Sequence, residues 1–256
     1  MIQTLLKSFR RGARPPPAPP AGSRIYAVGD IHGRADLLAR LHRAILADAA
    51  AVGSAAGAAR RLVVYIGDYV DRGLQSREVI DLLLDSALPG FEAVHLKGNH
   101  EDMMLRFLAD AAQGPFWLAN GGYATLASYG VGAPPPPHDA AVLEDLRHRL
   151  EAALPPRHRD FLGSLALSHA EGDYLFVHAG VRPGAPAAAQ REEDMMWIRD
   201  DFLDSRADHG QIVVHGHSIN HQPEQRPNRI GIDTGAFTTG HLTCLVLDGA
   251  MQRFIA

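Results

Sequence analysis

An α/β fold with a parallel sheet in its front half is predicted by two features of the sequence. Short apolar runs, rich in β-branched residues and as long as typical strands, end in turns that carry glycine and charged residues. Amphipathic stretches with helical spacing separate the first three of these runs. Because strands that alternate with helices form β-α-β units, the front half should build a parallel sheet.

The front half contains three predicted strands and two predicted helices. The strands are RIYAV at 24–28, LVVYI at 62–66 and EAVHL at 92–96. The stretch RADLLARLHRAILADA at 34–49 lies between the first two strands, and SREVIDLLLDSA at 76–87 lies between the second and third. A helix is therefore predicted between each strand and the next.

The back half contains further short strands and follows a helical insert. The predicted strands are YLFV at 174–177, QIVV at 211–214, IGID at 230–233 and LTCLVLD at 242–248, and their close spacing favours more antiparallel pairing. Residues 102–170 are expected to form a mostly helical insert that borders the functional site. Its proline run, in GAPPPPH, cannot be helix interior and predicts an extended surface loop.

Composition favours one large domain over residues 24–256. The chain has 256 residues, of which 46% are hydrophobic, and this is enough to bury a substantial core. A net charge of −4 gives no indication of the excess positive charge that is typical of a nucleic-acid binder. The single cysteine, Cys244, excludes an internal disulfide and lies in an apolar run typical of a core. A metal site must therefore use oxygen and nitrogen ligands.

The first 23 residues differ from the rest of the chain. They are basic and rich in proline, and four apolar residues follow helical spacing: Ile2, Leu5, Leu6 and Phe9. We interpret residues 1–23 as a flexible tail and linker, with a short amphipathic contact to a partner or membrane surface as the alternative. No apolar stretch is long enough for a membrane span, and the N-terminus has no signal-like segment, so a cytoplasmic protein is expected.

The predicted strands end in turns that carry carboxylate, imidazole, carboxamide and guanidinium side chains. These residues are Asp30, His32, Asp68, Asp71, Arg72, Asn99, His100, His178, His215 and His217. Ligands bind at the carboxyl ends of strands in α/β sheets, so we expect these side chains to meet at one sheet edge. Carboxylate and imidazole without thiolate suit Mn, Fe or Zn, and the set is large enough for two ions. Asp68, next to Gly67, is the best candidate for a carboxylate that bridges them.

The order and spacing of GDIHG, GDYVDRG, GNHE, a later HAG and a final GH resemble the metallophosphoesterases. The likeness extends over nearly all of residues 24–250, because FWLANGG, MMWIRD and IDTGAF also resemble segments of one branch of this superfamily. That branch, the phosphoprotein phosphatases, contains small bacterial and phage-type serine/threonine protein phosphatases. The resemblance implies a calcineurin-like β-sandwich of two sheets flanked by helices, an αββα arrangement.

The resemblance also implies a role for each site residue. It assigns the first metal to Asp30, His32 and Asp68. It assigns the second metal to Asp68, Asn99, His178 and His217. His100 is then the general acid, oriented by Asp71, and the phosphate is held by Arg72 and Arg199. The two cations are expected to be manganese, with iron or zinc as alternatives.

Three positions depart from the pattern or leave an alternative open. Many nucleases of the wider superfamily end in GHxH, but GHSI places Ile219 at the last position, which favours a phosphomonoesterase. His215 has no matching ligand role and is interpreted as a structural histidine that supports the site. Arg199 could instead form a surface ion pair with Asp200 or Asp201.

The predicted activity is hydrolysis of phosphoserine or phosphothreonine in proteins, with a metal-bridging hydroxide attacking phosphorus in line. A dinucleoside polyphosphate hydrolase of the diadenosine tetraphosphate type is the alternative from the same superfamily. A scaffold that binds phosphorylated partners without turnover is the alternative from another class. The expected partner is a phosphorylated protein or a small phosphoester, not a nucleic acid, and the chain is expected to be a monomer.

Overall fold

The computed structural model describes residues 15–51, 60–85, 88–136 and 138–256. The strands, in chain order, are β1 (Ser23–Val28), β2 (Arg60–Tyr65), β3 (Glu92–His95), β4 (Ser168–Glu171), β5 (Tyr174–Val177), β6 (Ile212–His215), β7 (Glu224–Gln225), β8 (Arg229–Gly231), β9 (Cys244–Asp248) and β10 (Met251–Ile255). The helices are α1 (Ala35–Ala51), α2 (Ser76–Asp85), α3 (Asn99–Ala109), α4 (Gly114–Trp117), α5 (Tyr123–Ser128), α6 (Ala140–Ala153), α7 (Pro156–Gly163), α8 (Glu192–Trp197), α9 (Asp200–Leu203) and α10 (Ala236–Thr239).

The strands form two mixed sheets of five strands each. The first sheet has the order β10-β9-β1-β2-β3, and the second has the order β4-β5-β6-β8-β7. Strands β1, β2 and β3 are parallel, with Ser23 opposite Arg60 and Leu62 opposite Glu92, which confirms the parallel front half. The two-sheet α/β architecture that the resemblance implied is also confirmed.

The back half is less antiparallel than its spacing predicted. Strand β6 runs parallel to both β5 and β8, whereas the pairs β4–β5, β7–β8 and β9–β10 are antiparallel. The segment between β5 and β6 carries α8 and α9, and a crossover of that length allows a parallel return. The two runs IGID and LTCLVLD lie in different sheets, because β8 belongs to the second sheet and β9 to the first.

Alternating side chains of the central strands pack into two different layers of the core. In β1, Ile25 and Ala27 belong to the apolar cluster between the two sheets, which also contains Phe176 of β5. Tyr26 and Val28 belong to the cluster under the helices of the first sheet. Both faces of β1 are buried, which explains why this strand is a continuous apolar run rather than an alternating one.

The outer face of the second sheet has its own cover. Leu175, Val177 and Val213 pack there against residues of the α8–α9 region, among them Phe202. Helices cover the first sheet and the insert is helical from α3 to α7, while the prolines at 134–136 have no regular secondary structure. Among the described residues, no helix has the length and apolar character that a membrane span requires.

The proline-rich segment before β1 lies against the second sheet from Pro15 onward. The Ala18 amide donates to the Asp173 carboxylate at 3.0 Å, and the Tyr174 hydroxyl donates to the Pro17 carbonyl at 3.1 Å. Strand β1 then begins at Ser23. The helical spacing predicted from Ile2 to Phe9 falls on residues 1–14, which lie outside the described residues.

Candidate active site

The predicted site residues meet where the ends of the two sheets face each other, not at one sheet edge. His178 follows β5 of the second sheet, and its Nδ1 lies 2.9 Å from the Ile66 carbonyl that follows β2 of the first. The amide of His217, beyond β6, donates to Asp30 Oδ2, beyond β1, at 3.0 Å. Contacts between the sheets therefore assemble the site from segments that are far apart in the chain.

Asp68 lies at the centre of this constellation and uses its two carboxylate oxygens in different directions. Oδ2 is 3.4 Å from His32 Nε2, and Oδ1 is 3.4 Å from His178 Nε2. Burial alone raises the pKa of the Asp68 carboxyl, but the imidazoles of His178, His100 and His32 outweigh burial and hold it below its usual range. An ionised carboxylate with an oxygen toward each histidine is suited to bridging two cations.

The two histidines beside Asp68 have fixed hydrogen-bond partners on their other nitrogens. His32 Nδ1 lies 3.0 Å from the Val70 carbonyl, and His178 Nδ1 lies close to the Ile66 carbonyl. Because each Nδ1–H donates to a carbonyl, each Nε2 presents a lone pair toward Asp68. Burial lowers the pKa of His32 to about 3, so this ring is neutral. A neutral, oriented imidazole is the form that binds a metal.

A second group of acceptors converges beside Asn99. Asn99 Oδ1 lies 2.9 Å from His178 Nε2 and 2.9 Å from His217 Nδ1. His217 Nε2 is buried without a hydrogen-bond partner among the described residues, and burial lowers the pKa of this ring to about 2. Imidazole nitrogens and an amide oxygen that converge in this way are atom types that can bind a divalent cation.

Two groups of three residues could each hold a metal ion. Within each group, every residue offers one ligand atom, and these atoms lie within 4.8 Å of one another. The groups are His32, Asp68 and His100, and Asp68, His178 and His217. Asp68 is common to both groups. The second group agrees with the ligand set that the resemblance implied, whereas the first contains His100 and not Asp30. The division of the ligands between two ions therefore stays a prediction.

Asp30 is nevertheless buried at the site with one free oxygen. Its Oδ1 has no hydrogen-bond partner among the described residues, and a Cβ on Gly216 would stand 2.0 Å from it. Burial and the charges of Asp233 and Asp68 raise the pKa of Asp30 well above its usual value. A buried carboxylate oxygen without a partner is costly, and a cation beside it would remove the cost.

Asp71 orients His100 and has no oxygen to spare for a metal. Its Oδ2 accepts from His100 Nδ1 at 2.7 Å and from the Trp117 indole at 2.9 Å, while Oδ1 accepts from the Thr125 hydroxyl at 2.6 Å. Burial lowers the pKa of His100, but the carboxylates of Asp68 and Asp71 outweigh it, so the pKa is raised. An imidazole with a raised pKa and a fixed carboxylate partner can hold and release a proton near neutral pH.

The two predicted phosphate-binding arginines lie next to these groups. Arg72 Nη2 is 3.2 Å from His100 Nε2, and its guanidinium lies 4.7 Å from the centre of the Phe237 ring. Arg199 is exposed and close enough for its charge to lower the pKa values of His178 and His217. In the described part of the chain it forms no ion pair with an aspartate, so the alternative of a surface ion pair is not observed.

The loops of the site are strained in a way that the sequence did not reveal. Within the described residues, the non-glycine positions with positive φ all lie here. They are His32, Asp68, Asp71, Arg72 and His217, with φ of 46°, 52°, 72°, 67° and 61°. Such backbone persists only where the surrounding structure holds it. Gly98 permits a close approach, because a Cβ there would lie 2.1 Å from Asp68 Oδ1.

Glu101 holds this strained backbone, and sequence reasoning did not assign it a role. Its carboxylate is fully buried and accepts hydrogen bonds from the amides of Asp68, Tyr69, Val70 and Gly98. Burial and the Asp68 charge raise the pKa of Glu101 to about 7, while the amide donors oppose that rise. The signal available in the sequence was the final letter of GNHE.

Other contributors were also missed, and one predicted residue lies away from the metal groups. Trp117 and Thr125 of the insert contact Asp71, and Asp233 lies near Asp30 and contributes to its raised pKa.

His215 is buried in edge contact with Phe202 at 5.1 Å and belongs to neither metal group. This location agrees with the structural role that was expected for it.

Residues 23–236 match the model of the family described as calcineurin-like phosphoesterase. The chain belongs to this family. It is therefore a metallophosphoesterase-type hydrolase, with histidine and aspartate groups placed to hold metal.

Relatives with two different activities resemble this calcineurin-like phosphoesterase. Serine/threonine-protein phosphatase 2 of Salmonella typhimurium is 27% identical over 231 residues, which cover 86% of this chain and 90% of that protein. A bis(5′-nucleosyl)-tetraphosphatase, PrpE, of Anoxybacillus flavithermus is 28% identical over 200 residues, which cover 72% of this chain and 75% of that protein. A crystal structure described as a candidate diadenosine tetraphosphatase superposes with a TM-score of 0.57 at 21% identity. The superposition covers 93% of this chain and 95% of that one, which supports the fold.

Proposed function

We propose that this calcineurin-like phosphoesterase hydrolyses phosphoserine and phosphothreonine in proteins and uses two divalent cations, with manganese expected. The observation that carries the proposal is the buried pair formed by His100 and Asp71. The Nδ1–Oδ2 distance of 2.7 Å holds the ring so that Nε2 points toward Arg72 and Asp68. A proton donor at this point lies between the phosphate-binding arginine and the proposed bridging carboxylate.

The ligand atoms fit the proposed cations. Asp68 faces a neutral histidine with each oxygen, and Asp30 Oδ1 is buried without a partner among the described residues. When bound, two divalent cations supply charge neutralisation for the phosphoryl oxygens and acidify water so that it can attack at neutral pH.

The residues of the chain supply binding and proton transfer. The planar guanidinium groups of Arg72 and Arg199 are suited to gripping the nonbridging oxygens of a phosphate dianion. His100 Nε2 is placed to give its proton to the leaving alkoxide, and Asp71 stabilises the imidazolium before that transfer. We assign no covalent intermediate, because this arrangement allows water to be the nucleophile.

Support for a phosphoprotein substrate comes from the Salmonella relative, which matches over most of both chains and is named a serine/threonine-protein phosphatase. The relative named as a bis(5′-nucleosyl)-tetraphosphatase matches at similar identity over a shorter region. Hydrolysis of dinucleoside polyphosphates is therefore the second candidate, because the same metal and arginine groups can bind a polyphosphate chain.

The test compares kcat/KM for five substrates with Mn²⁺-loaded protein: phosphoserine, phosphothreonine and phosphotyrosine peptides, diadenosine tetraphosphate, and a phosphodiester. The proposal expects the phosphoserine and phosphothreonine peptides to have the highest values, and a chelator to abolish all turnover. A higher value for diadenosine tetraphosphate would replace the proposal with the second candidate. Bound metal without turnover of any substrate would favour a scaffold.

A further inference from the structure

The described part of the chain exposes five large hydrophobic side chains, and three of them lie on segments that adjoin residues of the candidate active site. The five are Leu46, Leu74, Phe116, Ile219 and Met251. Isolated exposed apolar residues are normal on protein surfaces, but a group that borders a site indicates a contact surface. We name Leu74, Phe116 and Ile219 the apolar collar.

Phe116 reaches the site through a chain of aromatic contacts. It is 58% exposed, and its ring centre lies 6.0 Å from that of Trp197. Trp197 in turn lies 6.0 Å from the ring of His217, which it meets edge-on. Trp197 is half-buried and supports Phe116 from behind. One face of Phe116 is thus fixed while the remainder is open to a ligand beside the second metal group.

Leu74 and Ile219 occupy other positions around the same site. Leu74 is 72% exposed and directly follows Gly73, whose amide donates to the His32 carbonyl at 3.1 Å. Ile219 is 46% exposed, follows His217 by two residues, and lies beside Gly235, where a Cβ would meet its Cγ2 at 3.1 Å. The three collar residues therefore come from three segments, of which one is tied to His32 and two are tied to His217.

We propose that the apolar collar binds apolar or aromatic side chains that flank the phosphorylated residue of a polypeptide substrate. This inference rests on the proposed phosphatase function and adds a sequence preference to it. An adenine ring of a dinucleoside polyphosphate could stack on Phe116, but Leu74 and Ile219 are aliphatic side chains from other segments. A polypeptide extends on both sides of its phosphorylated residue and can place apolar side chains against all three. An extended chain advances about 3.3 Å per residue, so side chains two residues away can reach beyond the metal groups.

The experiment uses two phosphoserine peptides that differ only two residues before and two residues after the phosphoserine. One peptide has phenylalanine at both positions, and the other has alanine. The quantity measured is the ratio of their kcat/KM values with Mn²⁺-loaded full-length protein. An aromatic contact should make this ratio about 5 in the wild type.

Variants locate the preference. Phe116→Ala and Phe116→Gln should bring the ratio close to 1, and Phe116→Trp should restore it. Leu46→Ala is the matched control, because Leu46 is an exposed apolar residue of α1 at 38% exposure, 11 positions beyond the first residue of that helix. That spacing corresponds to about 16 Å along the helix axis, so the control should keep the wild-type ratio.

The outcomes separate the two proposals. If the alanine peptide is hydrolysed but the wild-type ratio is close to 1, or if both Phe116→Ala and Phe116→Gln keep the wild-type ratio, the collar is refuted and the phosphatase activity stands. If neither peptide is hydrolysed while p-nitrophenyl phosphate still is, the phosphoprotein substrate is refuted, and the collar inference with it.

Discussion

Replacing Glu101 by glutamine tests whether one buried carboxylate supports the strained loop of the site. Oε2 accepts from the amides of Asp68 and Gly98 at 2.9 and 3.0 Å, and Oε1 accepts from Tyr69 and Val70 at 2.7 and 3.2 Å. Glutamine has the same shape but presents an NH₂ group in place of one oxygen. Two buried amides then face a donor instead of an acceptor.

The cost follows from the two hydrogen bonds that are lost with this one oxygen. Each buried donor without a partner costs about 1–3 kcal/mol, so the variant should lose about 2–6 kcal/mol of stability. For a domain of this size about 1 kcal/mol corresponds to roughly 2–4 °C, and we expect Tm to fall by on the order of 10 °C. Mn²⁺ affinity should fall too, because the Asp68 backbone at the metal groups is no longer held.

Thermal unfolding and titration calorimetry with Mn²⁺ measure both effects. The matched control is Glu78→Gln, an exposed glutamate of α2, which should leave Tm within about 2 °C of the wild type. Glu101→Gln with the Tm and the Mn²⁺ affinity of the control would show that the amides are satisfied without this carboxylate, and the reasoning would be wrong.

Three further predictions concern the metal ligands, the proton donor and acid stability. Asp68→Asn should weaken Mn²⁺ binding at both sites together, because each carboxylate oxygen faces a different histidine, and calorimetric stoichiometry measures this. His100→Asn should slow hydrolysis of phenyl phosphate by about 10²–10⁴ but that of p-nitrophenyl phosphate much less, because a good leaving group needs little proton donation. His42 is buried against the Tyr65 hydroxyl at 2.8 Å, and burial lowers its pKa to about 4. Its unfolded pKa is about 6.5, so the unfolded state binds more protons between these values, and stability should fall by up to about 3 kcal/mol as pH drops from 6.5 to 4. In urea titrations, His42→Gln should flatten this pH dependence.

Each of these predictions has a result that would contradict it. Loss of a single ion in Asp68→Asn would argue against a bridge, and equal losses on both aryl phosphates would remove His100 from proton donation. An unchanged slope of stability against pH in His42→Gln would show that other groups dominate acid unfolding. His148→Gln is the control for the last experiment, because His148 is 61% exposed.

Much of the fold could be predicted because local patterns reflect local burial. After Arg24 the run RIYAV is apolar at every position, and β1 is buried on both faces, so pattern and structure agree. Strand pairing was less predictable in the back half. Whether β6 pairs in parallel with β5 depends on where the segment that carries α8 and α9 crosses, and no local sequence pattern encodes that path.

The sequence by itself determined which chemical groups are present and which strand ends carry them. Only the tertiary structure decided how these groups share contacts: two sheets meet so that His217 reaches Asp30, and Trp117 and Thr125 of the insert occupy the Asp71 oxygens. The positive φ at Asp68 and its support by Glu101 also appear only there. The physical reason is that strand and helix patterns depend on neighbours in the chain. Hydrogen bonds at the site join residues that are brought together only when the two sheets pack.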